Sequence, residues 1–318
     1  MSDCCDIVVA GAAIIDIPVV PADPAVFSRP STPAERIILT SGGDAMNEAL
    51  ILSRLGRRVR LVTRIGRDDA GAYLKSTCKA AGIDTRFFRE ADGLDTGVNV
   101  VLVDECGERR FYTNPHGSLR ALEASDITPD SLDGAKIFCF ASIFVFPKID
   151  PEQLEILFRT VRSRGLLVCA DMTLPKRGET IRELAPALAH LDYFFANLEE
   201  SRQITGLTAP ESIADALLCT GVRHVIIKLG ADGCLIAHRG GQQLIPACPQ
   251  TQCIDTTGAG DNFAAGFLSA LLDGLSFADC ARYANACAAV SVESVGAATG
   301  VRDAEQVQSR FRAAYAAG

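Results

Sequence analysis

The residue types best suited to chemistry gather in one stretch, Asp255-Thr256-Thr257-Gly258-Ala259-Gly260-Asp261-Asn262-Phe263, which runs into an apolar helical pattern over 264–272 that Gly274 ends. Glycines just ahead of a helix let successive amides converge on an anion, and the helix dipole adds positive potential there. Asp261, in the first turn of that helix, cannot serve an anion through its charge, so proton abstraction is the role that its presence suggests. A carboxylate of ordinary pKa, roughly 4, is ionised at neutral pH and can take the proton of an attacking hydroxyl. The N–H groups of Gly258, Ala259 and Gly260 would meanwhile hold charge developing on a transferred phosphoryl group. The same residues also fit a glycine-rich turn in which Asp261 merely caps a helix, and both readings stand at this point. No Gly-x-x-x-x-Gly-Lys-Ser/Thr run occurs and position 263 is not glycine, so P-loop and dinucleotide readings lose weight.

Short β-rich runs alternate with helical patterns: 6–10 then 45–55, 59–63 then 70–81, and 136–142 then 152–164. That alternation predicts βαβ units and a largely parallel, helix-covered sheet. Further strands are expected at 166–170, 193–196 and 222–228, and a helix at 278–292. Gly56, Gly82 and Gly165 follow helical segments where a left-handed cap is wanted. Two stretches break the rhythm: the proline-rich 17–40, and 96–113, where 98–103 and 110–113 flank Glu105-Cys106-Gly107-Glu108 as a hairpin would. Together they predict a small β appendage over about 13–40 and 92–116, either a lid that excludes water or an edge meander that fills space. No repeat or linker divides the chain, which reads as one domain over 1–318.

With 318 residues, 48% of them apolar, the chain can bury a sizeable core. A net charge of −8 argues against nucleic-acid partners, which select for a basic face. The twelve cysteines are scattered through apolar runs with no Cys-x-x-Cys, and the four histidines lie far apart, so buried thiols are expected rather than a zinc site or a disulfide framework. The first residues lack a basic n-region, and the longest apolar run, 137–146, is too short to cross a bilayer. A cytoplasmic protein with no membrane partner is the expectation.

Asp255-Thr-x-Gly-Ala-Gly-Asp261 resembles the C-terminal signature of the PfkB/ribokinase carbohydrate kinases, and Ser41-Gly42-Gly43-Asp44-Ala45-Met46-Asn47-Glu48-Ala49 resembles their N-terminal Gly-Gly-x-x-x-Asn-x-Ala signature. Asn197-Leu198-Glu199-Glu200 is similar to the family's Asn-x-x-Glu, and Lys228-Leu229-Gly230-Ala231-Asp232-Gly233 to its nucleotide loop. These ordered motifs span essentially the whole chain, and within the family the resemblance runs to the YdjH-like bacterial sugar kinases. It implies a ribokinase-like three-layer α/β sandwich with a mostly parallel central sheet and a small β lid. It also implies transfer of the γ-phosphoryl of Mg·ATP to a hydroxyl of a monosaccharide, keto-sugar or sugar acid. An exposed β lid tends to seek a partner, so a homodimer formed through the lid is expected.

By that resemblance Asp261 is the base, with Gly258, Ala259 and Gly260 as the anion hole. Asp16, Gly42, Gly43, Asp44 and Asn47 bind the acceptor, the glycines allowing close backbone approach and the polar pair meeting hydroxyls. Asn197 and Glu200, one helical turn apart, would face Mg²⁺ and phosphate through water; the alternative is a helix cap at Asn197 with an exposed Glu200. Lys228 and Gly230 to Gly233 would form a nucleotide shelf, and Asn285 would contact the base or be a satisfied buried amide. A K⁺ site is implied at Asp255, Thr257, Ser291, Ser294, Gly296 and Gly300. There are departures: Ala141-Ser142-Ile143-Phe144 stands where sugar-specific members often carry a carboxylate, Asp44 replaces a common lysine or asparagine, and Asp171-Met172-Thr173 replaces Asp-x-Asn. They leave phosphoryl transfer intact but count against plain ribose or fructose as the acceptor. A nucleoside kinase, using Phe111, Tyr112 and Phe144 around a base, and a non-catalytic sugar or nucleotide sensor are the alternatives.

Overall fold

The computed structural model describes residues 5–104 and 108–315. Its strands are β1 (Ile7–Ala10), β2 (Ile14–Val20), β3 (Arg36–Ile37), β4 (Thr40–Gly42), β5 (Val59–Gly66), β6 (Phe88–Ala91), β7 (Val98–Val103), β8 (Arg109–Thr113), β9 (Ile137–Ile143), β10 (Leu167–Met172), β11 (Tyr193–Asn197), β12 (His224–Lys228), β13 (Cys234–His238) and β14 (Gly241–Ile245). Among the described residues the central sheet runs β14-β13-β12-β11-β10-β9-β1-β5-β6. It is parallel from β6 to β12, and β13 and β14 add an antiparallel edge.

Strand composition explains this arrangement. β1 and β9 are buried along their whole length, as strands with helices on both faces must be. Successive side chains point to opposite faces. Ile7 and Val9, with Ile137 and Cys139, join one core cluster under the helices Asp44–Arg54, Asp69–Ala80, Ala259–Leu272, Phe277–Val292 and Ala304–Tyr315. Val8 and Ala10, with Phe138 and Phe140, join the other, under Pro151–Ser163, Ile181–Leu188, Leu198–Thr205 and Pro210–Cys219. Each fully buried phenylalanine stabilises the fold by roughly 1.5–3 kcal/mol. The described cysteines are free thiols, and all but Cys219 and Cys253 are buried as packing groups.

A buried cation anchors β5. Arg60 donates to Asp84 at 2.9 Å and to the carbonyls of Ser131 and Asp133 at 2.9 Å each, and its guanidinium lies 5.2 Å from the centre of the Phe87 ring. Burial works against the Asp84 carboxylate, but hydrogen bonds from Arg86 and Arg60 outweigh it and hold the pKa at about 2.

The second sheet, in the order β3-β2-β7-β8 with β4 also on β2, is built from the two stretches that break the βα rhythm. β7 and β8 pair antiparallel from Asn99 opposite Thr113 to Val103 opposite Arg109; the turn residues 105–107 expected between them lie outside the described residues. β2 continues directly from β1, so this sheet stands at the carboxyl edge of the central one.

The helix expected over 264–272 begins earlier, at Ala259, with Asp261 in its first turn as expected and Gly258 as the cap residue at φ 70°. Gly43, at φ 91°, holds the cap position of the helix Asp44–Arg54, and Asp44 is its first residue.

Candidate active site

Ligand sites in open α/β sheets lie beyond the carboxyl ends of the strands. There β9 ends at Ser142 and Ile143, β10 at Asp171 and Met172, β11 at Asn197 and β12 at Lys228. The helices Asp44–Arg54 and Ala259–Leu272 start at the same edge. Asn47 of the first donates to Asp261 Oδ2 of the second at 2.7 Å, which fixes the carboxyl group although the two residues are 214 positions apart. Asp261 makes no ion pair among the described residues and keeps part of its surface accessible. The Gly258 and Gly260 amides have no protein acceptor among those residues, whereas the Ala259 amide, expected in the anion hole, already donates to the Thr256 carbonyl at 3.2 Å. A Cβ on Gly258 would stand 2.6 Å from the Ala297 carbonyl, so only glycine fits this turn.

The Lys228 ammonium, expected on a nucleotide shelf, pairs with Asp171 Oδ2 at 2.8 Å and lies 3.2 Å from where a Gly260 Cβ would be, beside the turn that carries the Gly258 and Gly260 amides. Burial opposes its charge, but Asp171 and Glu200 outweigh that penalty and push its pKa up. Asp171, which the sequence marks only as a departure, also accepts from the Met172 amide at 2.7 Å. A charged residue closing the apolar strand Leu-Val-Cys-Ala-Asp is the signal that could have singled it out.

The carboxyl groups here outnumber their cationic partners. Burial pushes Asp261 well above the ordinary carboxylate range, the charge of Asp44 adds to this, and the Asn47 hydrogen bond opposes it. The expectation of an ordinary pKa near 4 for Asp261 is therefore corrected: desolvation beside like charges disfavours the ionised form. Burial likewise raises Glu200 to about 7, with Lys228 pulling the other way. Glu48 is fully buried with neither oxygen hydrogen-bonded, and burial, then Asp171 and Asp261, raise it well above its usual value. Within its own motif Glu48 carries no sign of this role.

Asn197 and Glu200 form the capping arrangement allowed above: Asn197 Oδ1 accepts from the Glu200 amide and Glu200 Oε2 from the Asn197 amide, both at 2.8 Å. Asp16 sits on β2, where Asn99 donates to it at 3.0 Å and burial raises its pKa. A Cβ on Gly42 would fall 1.9 Å from Asp16 Oδ2, so that glycine leaves the room in which Asp16 stands. Asp44 accepts a hydrogen bond from Ser142, and the backbone there is strained, with Ser142 at φ 67° and Phe144 at φ 78°. Such positions persist where surrounding packing fixes them, often at functional sites.

Gly230 and Gly233 bracket the turn between β12 and β13. Asn285 adopts the satisfied-amide arrangement, donating to the carbonyls of Pro246 at 3.0 Å and Ile245 at 3.4 Å, so its NH₂ group is not free for a nucleotide base. The expected K⁺ position is also altered, because Asp255 accepts an ion-paired hydrogen bond from Arg109 of β8.

Comparison with known proteins identifies the family and the fold. The family described as pfkB family carbohydrate kinase matches residues 6–304. The chain is 27% identical to the 2-dehydro-3-deoxygluconokinase of Bacillus subtilis, over 84% of this chain and 85% of that protein. It is 30% identical to the aminoimidazole riboside kinase of Salmonella typhimurium, over 84% and 86%. In three dimensions it resembles the ribokinase of Thermotoga maritima, with TM-score 0.81 at 24% identity over 97% of this chain and 99% of that one. It also resembles the Arabidopsis thaliana ribokinase complexed with ribose and ATP, with TM-score 0.83, 24% identity and the same coverage. The fold is thus ribokinase-like, and the protein belongs to the pfkB family of carbohydrate kinases, phosphotransferases whose acceptor is an alcohol group.

Proposed function

We propose that the protein transfers the γ-phosphoryl of Mg·ATP to a hydroxyl of a monosaccharide, keto-sugar or sugar acid, with Asp261 as base. The observation that carries this reading is the meeting of one proton acceptor with several anion-holding groups. Asn47 orients Asp261 in the same helical turn as the free Gly258 and Gly260 amides, and the Lys228 ammonium stands beside them. Asp261 takes the acceptor's proton as its oxygen attacks, and the amides and Lys228 hold charge that develops on the phosphoryl oxygens.

Asp16, Asp44 and Asn47 offer the polar groups that would orient the acceptor. The residues present fit Mg²⁺: the region carries surplus carboxyl groups, Glu200 among them with a pKa of about 7. Among the described residues no three His, Cys, Asp or Glu side chains converge as a metal cage. Mg²⁺ would then keep waters and nucleotide phosphates as its main ligands, as it prefers, with Glu200 as the protein's carboxylate. When bound it neutralises phosphate charge.

The second sheet, which we read as a lid, exposes Ile37, Phe111 and Tyr112, an apolar face suited to a second copy, and we place a homodimer contact there. No described helix is long and apolar enough to cross a membrane, and we place the protein in the cytoplasm. A nucleoside acceptor is the second reading. It is favoured by the riboside kinase among the relatives and by Phe144, which lines a cavity of about 360 Å³ together with Leu119 and Thr173.

The test is a coupled ATP-consumption screen over ketoses, aldoses, sugar acids and nucleosides. ATP should be consumed only when an acceptor from the sugar classes is supplied. Response to nucleosides alone selects the second reading, and ATP binding without turnover across the panel indicates a sensor.

A further inference from the structure

The fold family implies a monovalent cation beside the anion hole, and the residues present do not fit one. Asp255 Oδ1 accepts from the Thr257 amide at 2.9 Å, from the Thr257 hydroxyl at 2.6 Å and from the Arg109 guanidinium, while Oδ2 accepts from the Gly296 amide at 2.8 Å. Carbonyl groups of the neighbouring loop are engaged as well. Ser291 accepts from the Ser294 amide at 3.3 Å, Gly296 from the Thr299 hydroxyl at 3.1 Å, Ala297 from Asn262 at 2.7 Å, and Ala298 from Arg54. The Ser291 hydroxyl donates to Ala288 at 2.8 Å. At the Asp255 carboxylate and these carbonyls, lone pairs that would face a cation already face donors, and the positive charge at Asp255 comes from the chain itself.

That charge arrives from a distant element. Arg109 opens β8 of the small sheet, and its partner precedes the Gly258 turn. The Asp255 side chain is 9% exposed and that of Arg109 28%, so the pair is partly shielded from water and salt. Asp255 also holds Gly296, next to the Ala297 carbonyl against which Gly258 packs. Arg109, Asp255, Gly296 and Gly258 therefore form one continuous set of contacts between the small sheet and the anion hole.

We propose that Arg109 is a positioning residue whose guanidinium takes the place of a monovalent cation, making the anion hole independent of K⁺ and coupling its geometry to docking of the small sheet. This rests on the phosphotransfer reading for its kinetic consequence but not for its cation consequence. Thermal unfolding of the wild-type chain, R109A and R109K would be followed in K⁺, Na⁺ and tetramethylammonium chloride at one ionic strength. Acceptor-dependent ATP consumption would be measured in the same salts and with added guanidinium. Wild type should unfold within about 1 °C in all three salts and turn over at equal rates.

R109A should lose roughly 10-fold to 10²-fold in turnover. It should be stabilised by K⁺ relative to tetramethylammonium and regain rate with K⁺ or guanidinium, and R109K should keep most of the activity. Selective stabilisation of wild type by K⁺, or an R109A protein that gains no cation response, would overturn the proposal. If R109A does not fold, R109Q carries the same comparison. The unfolding measurement needs no acceptor, so a failed kinase reading and a failed Arg109 proposal give different results.

Discussion

Two buried cation–carboxylate pairs in this molecule have opposite surroundings. Around Arg60 the donors and acceptors balance: Asp84 and two carbonyls accept from the guanidinium, a ring covers it, and Asp84 stays ionised down to about pH 2. Around Lys228 they do not, since one ammonium faces Asp171 and Glu200, while burial and the neighbouring carboxyl charges, that of Asp44 among them, raise the pKa values of Glu48 and Asp261. A fully satisfied pair fixes a scaffold, whereas an overloaded one keeps protons and anion affinity available for chemistry. The scaffold pair ties β5 to the segment before β9; the overloaded pair stands where strands end and helices begin.

Substitutions on the two sides should separate stability from turnover. The largest effect is expected for D261N, which keeps the shape and the Asn47 contact region but removes the proton acceptor. Turnover on a responding acceptor should fall about 10² to 10⁴-fold while ATP-induced thermal stabilisation persists. Next, R60M should cost roughly 3 kcal/mol of stability in denaturant unfolding, because buried carbonyls and Asp84 lose their donor. The kcat of the remaining folded protein should stay near wild type; a large loss would mean that the two regions are not separable.

An effect of similar size to that of R60M, but spread over pH, is expected at Glu200. The folded-state pKa of Glu200, about 7, lies above its ordinary 4.5, so the native state holds a proton that the unfolded chain releases in that window. The contribution of Glu200 is thus fully present below pH 4.5 and lost as pH rises through 7. E200Q removes the titration and, through its amide oxygen, keeps an acceptor for the Asn197 amide. Its stability relative to wild type should grow by roughly 3 kcal/mol between those pH values and then level off. A flat difference would show that burial does not raise Glu200.

Much of the fold and the main contacts of the site can be read from one sequence because they are local. Apolar runs such as Ile137 to Ile143 set the buried strands, and the glycines around 258–260 mark a helix start with exposed amides. What could not be read depends on residues far apart in the chain. The Asp171–Lys228 pair crosses 57 positions and the Arg109–Asp255 pair 146, and neither follows from periodicity or spacing. The same holds for the Asp261 pKa, which is set by burial and by Asp44, neither visible in its own motif. Asn197 and Asn285 show the converse, since their capping and amide-to-carbonyl bonds are ordinary structural roles that the sequence leaves open beside the functional ones.

The central claim is that burial, reinforced by the charge of neighbouring carboxyl groups, raises the pKa of the base while leaving it free to accept a proton. The direct test is the pH dependence of kcat/KM for a responding acceptor in wild type and in D44N. The rate should climb with pH through an acid limb well above 4, and in D44N, with the like charge gone, that limb should move to lower pH. A wild-type profile that stays flat down to pH 5, or a limb that D44N leaves in place, would contradict the account.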